Sequence, residues 1–146
     1  MANKVRVAGV GMIPFTKPGQ SEDWDVMGEK AIRLALGDAG IGYDKIQQAY
    51  AGYVYGDSTA GQSALYRVGV TGIPVVNVNN NCSTGSTALY LARQIVEAGG
   101  ADCVLAFGFE QMVPGALGPV FNDRKHVVEK HIAVPLALQG FDKNAP

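Results

Sequence analysis

One short stretch of the chain carries the residue types that nucleophilic chemistry requires. Residues 75–88 have the sequence VVNVNNNCSTGSTA, an apolar run that ends in asparagines, followed by Cys82 and by small residues that suit the first turn of a helix. The positive end of a helix favours a thiolate over a thiol. Cys82 is therefore our candidate for a nucleophile that accepts an acyl group.

The other groups that could carry chemistry fit structural roles better. Cys103 lies within the apolar run 103–109 and fits a small buried side chain. Ser83 and Ser86 follow Cys82 but do not form the GxSxG elbow of a serine nucleophile. The two cysteines are far apart and neither belongs to a CxxC or HxxxH pair, so we expect no metal site.

A nucleophilic cysteine also needs a base to activate it and donors for the developing oxyanion. The histidines of the chain are His126 and His131, in an irregular stretch that is rich in charged residues. At positions i and i+5 they do not share one face of a helix. We interpret both as surface histidines, so the sequence offers a nucleophile without an evident base.

Glycines near the start of the chain suggest a different site. Gly9 and Gly11 form a GxG after an apolar run, as in a dinucleotide-binding loop. Pro14 occupies the place of the third glycine, and no helix follows directly. We therefore reject the dinucleotide interpretation, since an isolated GxG is weak evidence.

The composition limits the classes of partner. The chain has 146 residues, 47% of them hydrophobic and 17% charged, and a formal net charge of −1, which fits one packed domain without a basic surface for nucleic acid. No apolar run reaches the ~18–20 residues of a membrane span, and residues 1–5 lack the apolar core of a signal peptide. Two cysteines suit a reducing compartment. We expect a cytoplasmic protein, or a peroxisomal one in a eukaryote, with no nucleic-acid partner and no membrane span.

The elements around Cys82 alternate between strands and helices. Apolar runs predict strands at 4–10, 48–55, 75–79 and 103–109. Caps and helical spacing predict helices between Ser21 and Gly40, at 57–68 and at 84–98. The alternation predicts a layered α/β fold with a mainly parallel sheet, whose last strand is buried on both faces. Cys82 would lie at the carboxyl edge of this sheet, where such sheets bind ligands.

The sequence changes character after residue 110. Residues 111–146 contain prolines and glycines that interrupt any helical or strand period. A helical piece is predicted at 127–138, although Pro135 restricts it. We therefore divide the chain into a layered domain at 1–110 and an irregular excursion at 111–146.

The stretch around Cys82 resembles a known family. Residues 71–88 are closely similar to the nucleophile region of thiolases, and most similar to the sterol-carrier-protein-x branch. Residues 7–12, 52–59 and 103–112 agree as well. The resemblance runs in order over most of the first 124 residues.

This resemblance implies a thiolase-like fold, a layered βαβαβ sheet with helices. Thiolases have two similar halves, and only the N-terminal one is implied here, at residues 1–110. Residues 111–146 would then be the truncated start of the loop domain that follows the first half.

The resemblance also implies an activity. A thiolase is an acyl-coenzyme A acyltransferase that acts on 3-oxoacyl- or acetyl-coenzyme A, here in lipid or sterol side-chain metabolism. Cys82 would accept the acyl group as a thioester, with coenzyme A as a substrate and not a permanently bound cofactor. The second half of a thiolase supplies a histidine in a Gly-His-Pro motif and a cysteine in a Cys-x-Gly motif, and neither motif occurs here. We therefore expect the lone chain to be inactive as a thiolase.

Two other classes of function remain open. Some thiolase-fold proteins of steroid degradation catalyse aldol cleavage instead of thiolysis, and they do not need a cysteine nucleophile. The half-fold could also be a non-catalytic module that binds lipid or acyl-coenzyme A, or an interaction subunit. For each class we expect a homo-oligomer, such as the dimer of the family, or pairing with a missing C-terminal half.

Overall fold

Strands and helices alternate along the part of the chain that the structure describes. The computed structural model describes residues 3–115, 121–126 and 129–140. The elements in chain order are α1 (Trp24–Ala39), a 3₁₀ turn (Tyr43–Lys45), β1 (Gln48–Gly52), α2 (Ala60–Tyr66), β2 (Val75–Val78), α3 (Thr84–Glu97), β3 (Val104–Gly108) and α4 (Glu129–Leu138). The chain divides into two compact units, Met1–Met112 and Val113–Pro146, and α4 belongs to the second.

The strands of the first unit form one parallel sheet in the order β2-β1-β3. β1 is central, and its Tyr50 lies opposite Val76 of β2 and Ala106 of β3. Helices α1 and α2 pack on one face of the sheet and α3 packs on the other. The predicted layered α/β fold with a parallel sheet is therefore confirmed.

Two hydrophobic clusters make up the core, one on each face of the sheet. Under α1 and α2, Ala49 and Ala51 of β1 meet Ile32 and Leu65, whose side chains are almost fully buried. Tyr50 points to the other face and packs against α3. Since successive residues of a strand point to opposite faces, the central strand is covered by both helical layers.

The strand predicted at 103–109 is present as β3. Leu105 and Phe107 belong to the cluster under α1 and α2, whereas Val104 and Ala106 pack against the cluster under α3. The face toward α1 and α2 is therefore buried as predicted, whereas the face toward α3 is only half-buried. The strands predicted at 48–55 and 75–79 are also present, as the shorter β1 and β2.

The predicted first strand, at residues 4–10, is wrong. This segment is irregular and runs beside α1, where a Cβ at Gly9 would collide with the backbone of Ala35 and Ala39. The Val10 N–H donates a hydrogen bond to Asp38 Oδ2 at 2.8 Å. The alternating valines match a strand pattern, but the missing side chain at Gly9 lets the backbone pack against a helix instead.

The predicted helix between Ser21 and Gly40 is present as α1, with a different start. The helix begins after Asp23, whose side chain makes no capping bond. The Trp24 N–H instead donates to Gln111 Oε1 at 3.2 Å, so the cap comes from beyond β3. Gly40 ends the helix in the left-handed conformation with φ 65°, as predicted.

The other predicted helices are also present. Thr59 precedes α2 with a left-handed φ of 67° and makes no side-chain capping bond. α4 contains Pro135, and it confirms the helical piece predicted at 127–138, of which residues 127 and 128 lie outside the described residues. Among the described residues, no helix is both long and apolar enough to cross a membrane.

Charged side chains join α1 to α2 on the outside of the first unit. Arg67, just after α2, donates from Nε to Glu29 Oε2 at 2.8 Å and from Nη1 to Asp25 Oδ2 at 3.1 Å. Arg33 donates to the other oxygen of Glu29 at 2.9 Å and to the Arg67 carbonyl. The hydrogen bond from Arg33, and then that from Arg67, lowers the pKa of Glu29 below its ordinary value of 4.5.

Candidate active site

Cys82 lies on a tight turn between β2 and α3, at the carboxyl edge of the sheet. Within the turn, Asn81 has a φ of 50°, in the left-handed region that asparagine tolerates better than most residues. The N–H of Ser83 donates to the Asn80 carbonyl at 3.2 Å, and that of Thr84 donates to the Asn81 carbonyl at 3.0 Å. The backbone on both sides of the thiol is therefore held by short local hydrogen bonds.

Thr84 ties the turn to the first residue of α3. Its side chain is buried, and its Oγ1 accepts the N–H of Asn80 at 2.8 Å. The same hydroxyl donates to the Asn81 carbonyl at 2.5 Å. One hydroxyl thus fixes the two residues that precede Cys82, and it uses both its donor and an acceptor lone pair to do so.

A second set of polar contacts holds the exposed side of the turn. Asn80 Nδ2 donates to Thr87 Oγ1 at 2.9 Å, and the Thr87 hydroxyl donates to the Ser83 carbonyl at 2.9 Å. Ser83 Oγ donates back to the Asn80 carbonyl at 2.8 Å. The asparagines and hydroxyl residues of the sequence motif therefore act on the backbone of the turn, through contacts that residue types alone did not predict.

The side chain of Cys82 is exposed at the end of this turn. Its Sγ lies 4.0 Å from Asn81 Oδ1, toward which the thiol S–H points as a weak donor. The first residues of α3 follow directly, so the thiol lies beside the N-terminal end of that helix. Cys103, in contrast, is half-buried and packs against the core cluster under α1 and α2.

Glu110 organises a neighbouring part of the carboxyl edge. Its carboxylate accepts the N–H of Val54 at 2.8 Å and the N–H of Tyr55 at 3.1 Å, so it holds the chain where it leaves β1. This role of Glu110 was not predicted from the sequence. The available signal was a carboxylate placed directly after a buried strand, where a charged group needs partners.

Aromatic rings pack beside this carboxylate. Phe109 stacks on Tyr53 with ring centroids 5.1 Å apart and an interplanar angle of 12°, and it also meets Trp24 at 5.1 Å. The Tyr53 hydroxyl donates to the Asp57 carbonyl at 3.0 Å. These contacts fix the ends of β1 and β3 relative to the start of α1.

A cleft of about 290 Å³ lies next to the same rings. Its walls are residues 11–18, the side chains of Met27 and Ala31 on α1, and the end of β3 with Met112. The lining is mostly apolar and includes two charged residues, Lys17 and Glu110. None of the residues of the Cys82 turn lines the cleft, so the two features are separate parts of the first unit.

The remaining residues considered in the sequence are two histidines and two serines. His126 and His131 belong to the second unit, and both are exposed. Ser83 takes part in the turn contacts and Ser86 is exposed in α3. Within the described ranges, no group of three or more histidine, cysteine, aspartate and glutamate side chains has an arrangement that could hold a metal ion.

The fold and the site together define a layered α/β protein with an exposed thiol at the carboxyl edge of its sheet, the edge where such sheets usually bind ligands. Residues 5–129 match the family described as Thiolase, N-terminal domain. The chain therefore belongs to the thiolase family, and the resemblance found in the sequence is confirmed.

Individual relatives agree with this assignment. The chain is 54% identical to sterol carrier protein 2 of Bos taurus over 142 residues, which cover 96% of this chain and 26% of that protein. It is 37% identical to the benzoylsuccinyl-CoA thiolase subunit BbsB of Thauera aromatica over 113 residues, 75% of this chain and 29% of the subunit. The chain thus spans about a quarter of the length of these relatives.

A solved structure shows the same fold. The acetyl-CoA acetyltransferase of Syntrophomonas wolfei superposes with a TM-score of 0.63 and 17% sequence identity, over 86% of this chain and 35% of that one. At this identity the superposition is evidence for the fold alone. It supports the predicted thiolase-like N-terminal half.

Proposed function

We propose that this chain is the N-terminal part of an acyl-coenzyme A acyltransferase of the thiolase type, and that Cys82 accepts the acyl group. The observation that carries the proposal is the exposed thiol on a hydrogen-bonded turn directly before α3. Membership of the thiolase family agrees with it. The names of the bovine carrier protein and of the bacterial coenzyme A thiolase subunit support a lipid-related thioester as the substrate.

In the proposed step, the sulfur of Cys82 attacks the carbonyl carbon of an acyl-coenzyme A. The bond between that carbon and the coenzyme A sulfur breaks as the new carbon–sulfur bond forms. The thiol proton of Cys82 ends on the released coenzyme A, so the step needs no oxidant or reductant. Backbone N–H groups at the start of a helix stabilise the negative charge that develops during such an attack.

The rest of the reaction cycle is proposed to require residues from a second domain. The bovine relative is about four times as long as the matched segment. A general base and an oxyanion donor each contribute ~10²–10⁴-fold to the rate of such reactions. We therefore propose that the 146-residue chain accepts an acyl group on Cys82 but does not turn over. The missing groups would come from a C-terminal half or from another subunit.

Release of coenzyme A tests this function. The purified chain is mixed with acetyl-coenzyme A, and free coenzyme A is quantified by chromatography. We expect release to stop at or below one equivalent per chain, to disappear in Cys82→Ala and to remain in the matched control Cys103→Ala. If Cys82→Ala released as much coenzyme A as wild type, the proposed role of Cys82 as the nucleophile would be refuted. Continuous release that depends on Cys82 would refute the need for a second domain.

The cleft beside Met27 favours a second candidate, a non-catalytic module that binds an acyl chain. Its mostly apolar walls, including Met12, Phe15 and Met112, offer a surface that suits a hydrocarbon chain. Titration of a fluorescent fatty acid into the Cys82→Ala variant tests this candidate without interference from acylation. We expect saturable binding that weakens in Ala31→Phe, which fills the cleft, and not in Leu89→Phe on α3. Unsaturable binding would exclude the candidate.

A further inference from the structure

We infer that Thr84 is a positioning residue for Cys82, and that Gly52 at the end of the central strand gives Thr84 the space to act. The inference rests on the proposed function of Cys82 as an acyl acceptor. Thr84 has a buried polar side chain, with a relative exposure of 4%. A hydroxyl at such a site needs partners, and its partners here are the two residues before the nucleophile.

The hydroxyl of Thr84 forms hydrogen bonds with the preceding turn and not with the helix that Thr84 begins. Ser83 is the N-cap residue of α3, but its side chain makes no capping bond to the helix. Thr84 is the first helical residue, and its Oγ1 joins the N–H of Asn80 to the carbonyl of Asn81. This arrangement holds Asn81 in its left-handed conformation and so sets the direction in which Cys82 leaves the turn.

The methyl group of Thr84 ties the same turn to the sheet. A Cβ at Gly52 would lie 2.9 Å from Thr84 Cγ2 and 3.1 Å from the Thr84 carbonyl oxygen, both too close for an ordinary contact. Gly52 is the last residue of β1, and its carbonyl accepts the N–H of Phe109 at 3.3 Å. The lack of a side chain at Gly52 therefore lets the nucleophile turn pack directly against the central strand.

Together, the two ends of the Thr84 side chain fix Cys82 in two respects. The hydroxyl sets the conformation of the turn, and the methyl sets its distance from the sheet. Acyl transfer requires the thiol to meet a carbonyl carbon at a defined angle, beside groups that stabilise the oxyanion. Alkylation by a small reagent requires only that the thiol be exposed. The two reactions therefore report separately on position and on exposure.

The test compares both reactions in variants of the 146-residue chain. Thr84→Val keeps the shape of the side chain and removes the hydroxyl, whereas Thr84→Ser keeps the hydroxyl and removes the methyl. Thr71→Val is the matched control at an exposed threonine. For each variant, acylation of Cys82 by acetyl-coenzyme A and its alkylation by iodoacetamide are measured by peptide mass spectrometry, and circular dichroism checks the fold.

We expect Thr84→Val to slow acylation of Cys82 about tenfold or more while alkylation changes less than about twofold. Thr84→Ser should be slowed less than Thr84→Val, because it loses only the methyl contact with β1 and keeps the hydroxyl, and Thr71→Val should keep the wild-type rate. Equal acylation by wild type and a folded Thr84→Val, or equal losses in both reactions, would refute the positioning role alone. If wild-type Cys82 is not acylated, the proposed function fails and the positioning role fails with it.

A second pair of variants tests the contact without removing the hydroxyl, in case Thr84→Val does not fold. Gly52→Ala should push Thr84 away from β1 and slow acylation. Adding Thr84→Ser to Gly52→Ala removes the methyl, the nearest of the colliding atoms, so the double variant should be acylated faster than Gly52→Ala alone. A double variant that is as slow as or slower than Gly52→Ala would contradict the role of this contact.

Discussion

The two cysteines of the chain lie at opposite edges of the same parallel sheet. Cys103 precedes β3 and is held at the amino edge, where Gln47 Oε1 accepts its N–H at 3.1 Å and its carbonyl accepts the Gln47 N–H at 2.9 Å. Cys82 follows β2 at the carboxyl edge and is exposed on a turn. Ligands of open parallel sheets usually bind outside the carboxyl ends of the strands, which is the edge that carries Cys82.

The two edges also differ in how their backbone is held. At the amino edge, a neutral amide oxygen of Gln47 serves the N–H groups of Asp102 and Cys103. At the carboxyl edge, the carboxylate of Glu110 accepts hydrogen bonds from the N–H groups of Val54 and Tyr55. Hydrogen bonds to a charged group are stronger than those to a neutral one. We call these two sets of contacts the carboxylate clamp of Glu110 and the amide clamp of Gln47. The stronger of the two, the carboxylate clamp, lies at the edge that carries the candidate site.

The largest expected difference between the cysteines is in their reaction with iodoacetamide. Cys82 should react about a hundredfold faster than Cys103 in the native protein, because Cys103 packs against the core and reacts mainly after local opening. Peptide mass spectrometry at a series of reaction times measures both rates in one sample. In urea that unfolds the chain, the two rates should become similar. Similar rates under native conditions would contradict the contrast in exposure.

Loss of the carboxylate clamp should have the next largest effect. Glu110→Ala removes the acceptor of two backbone N–H groups and should lower the free energy of unfolding by about 2 kcal/mol. Glu110→Gln keeps one acceptor oxygen, so its free energy of unfolding should fall by about half as much. Urea unfolding followed by circular dichroism measures both. A loss below about 0.5 kcal/mol in Glu110→Ala would show that solvent replaces the clamp.

The amide clamp of Gln47 at the amino edge should contribute less to the free energy of unfolding. Gln47→Ala removes a neutral acceptor on an exposed side chain and should cost about 1 kcal/mol. It should also speed the alkylation of Cys103 and leave that of Cys82 unchanged, because the affected backbone lies at the other edge. A faster reaction at Cys82 would indicate that the two edges are not independent.

Much of this fold could be predicted from local sequence signals. The apolar stripe of α3 and the glycine after α1 place those helices correctly, and the strand that precedes Cys82 was found from its β-branched residues. These signals work because each element presents one or two apolar faces to a core with a fixed period. The position of Cys82 at a sheet edge follows from the same elements.

The errors have physical causes that no local pattern contains. Residues 4–10 have the period of a strand, but close packing of Gly9 on α1 decides their structure. The cap of α1 comes from Gln111, far away in sequence. Thr84 and Gly52 are in contact because the start of α3 packs on the central strand. This tertiary contact, which supports the turn of Cys82, could not be predicted from the local sequence.

The smallest predicted effect concerns the charged contacts between α1 and α2 on the outside of the first unit. The hydrogen bonds from Arg33 and Arg67 lower the pKa of Glu29, so its ionised form is favoured in the folded chain. This contribution to stability is complete above the ordinary pKa of 4.5 and is lost as the pH falls through the lowered folded-state value. Glu29→Gln should therefore be slightly less stable than wild type at neutral pH.

The pH dependence of unfolding checks this prediction. The difference in urea midpoint between wild type and Glu29→Gln should shrink as the pH falls below 4.5. The change should be small because exposed ion pairs are screened by solvent. A difference that grows on acidification would contradict the sign of the pKa shift. Alkylation of Cys82 and Cys103 should be the same in both proteins, since the ion pairs of the network involve neither cysteine.

The central claim is that Cys82, and not Cys103, accepts an acyl group. The most direct measurement is the location of that group, by peptide mass spectrometry of the native chain after incubation with acetyl-coenzyme A. We predict the acyl group on the peptide that contains Cys82, none on the peptide that contains Cys103, and no adduct after unfolding in urea before the incubation. Acylation of both cysteines in proportion to their exposure, or of neither, would contradict the claim.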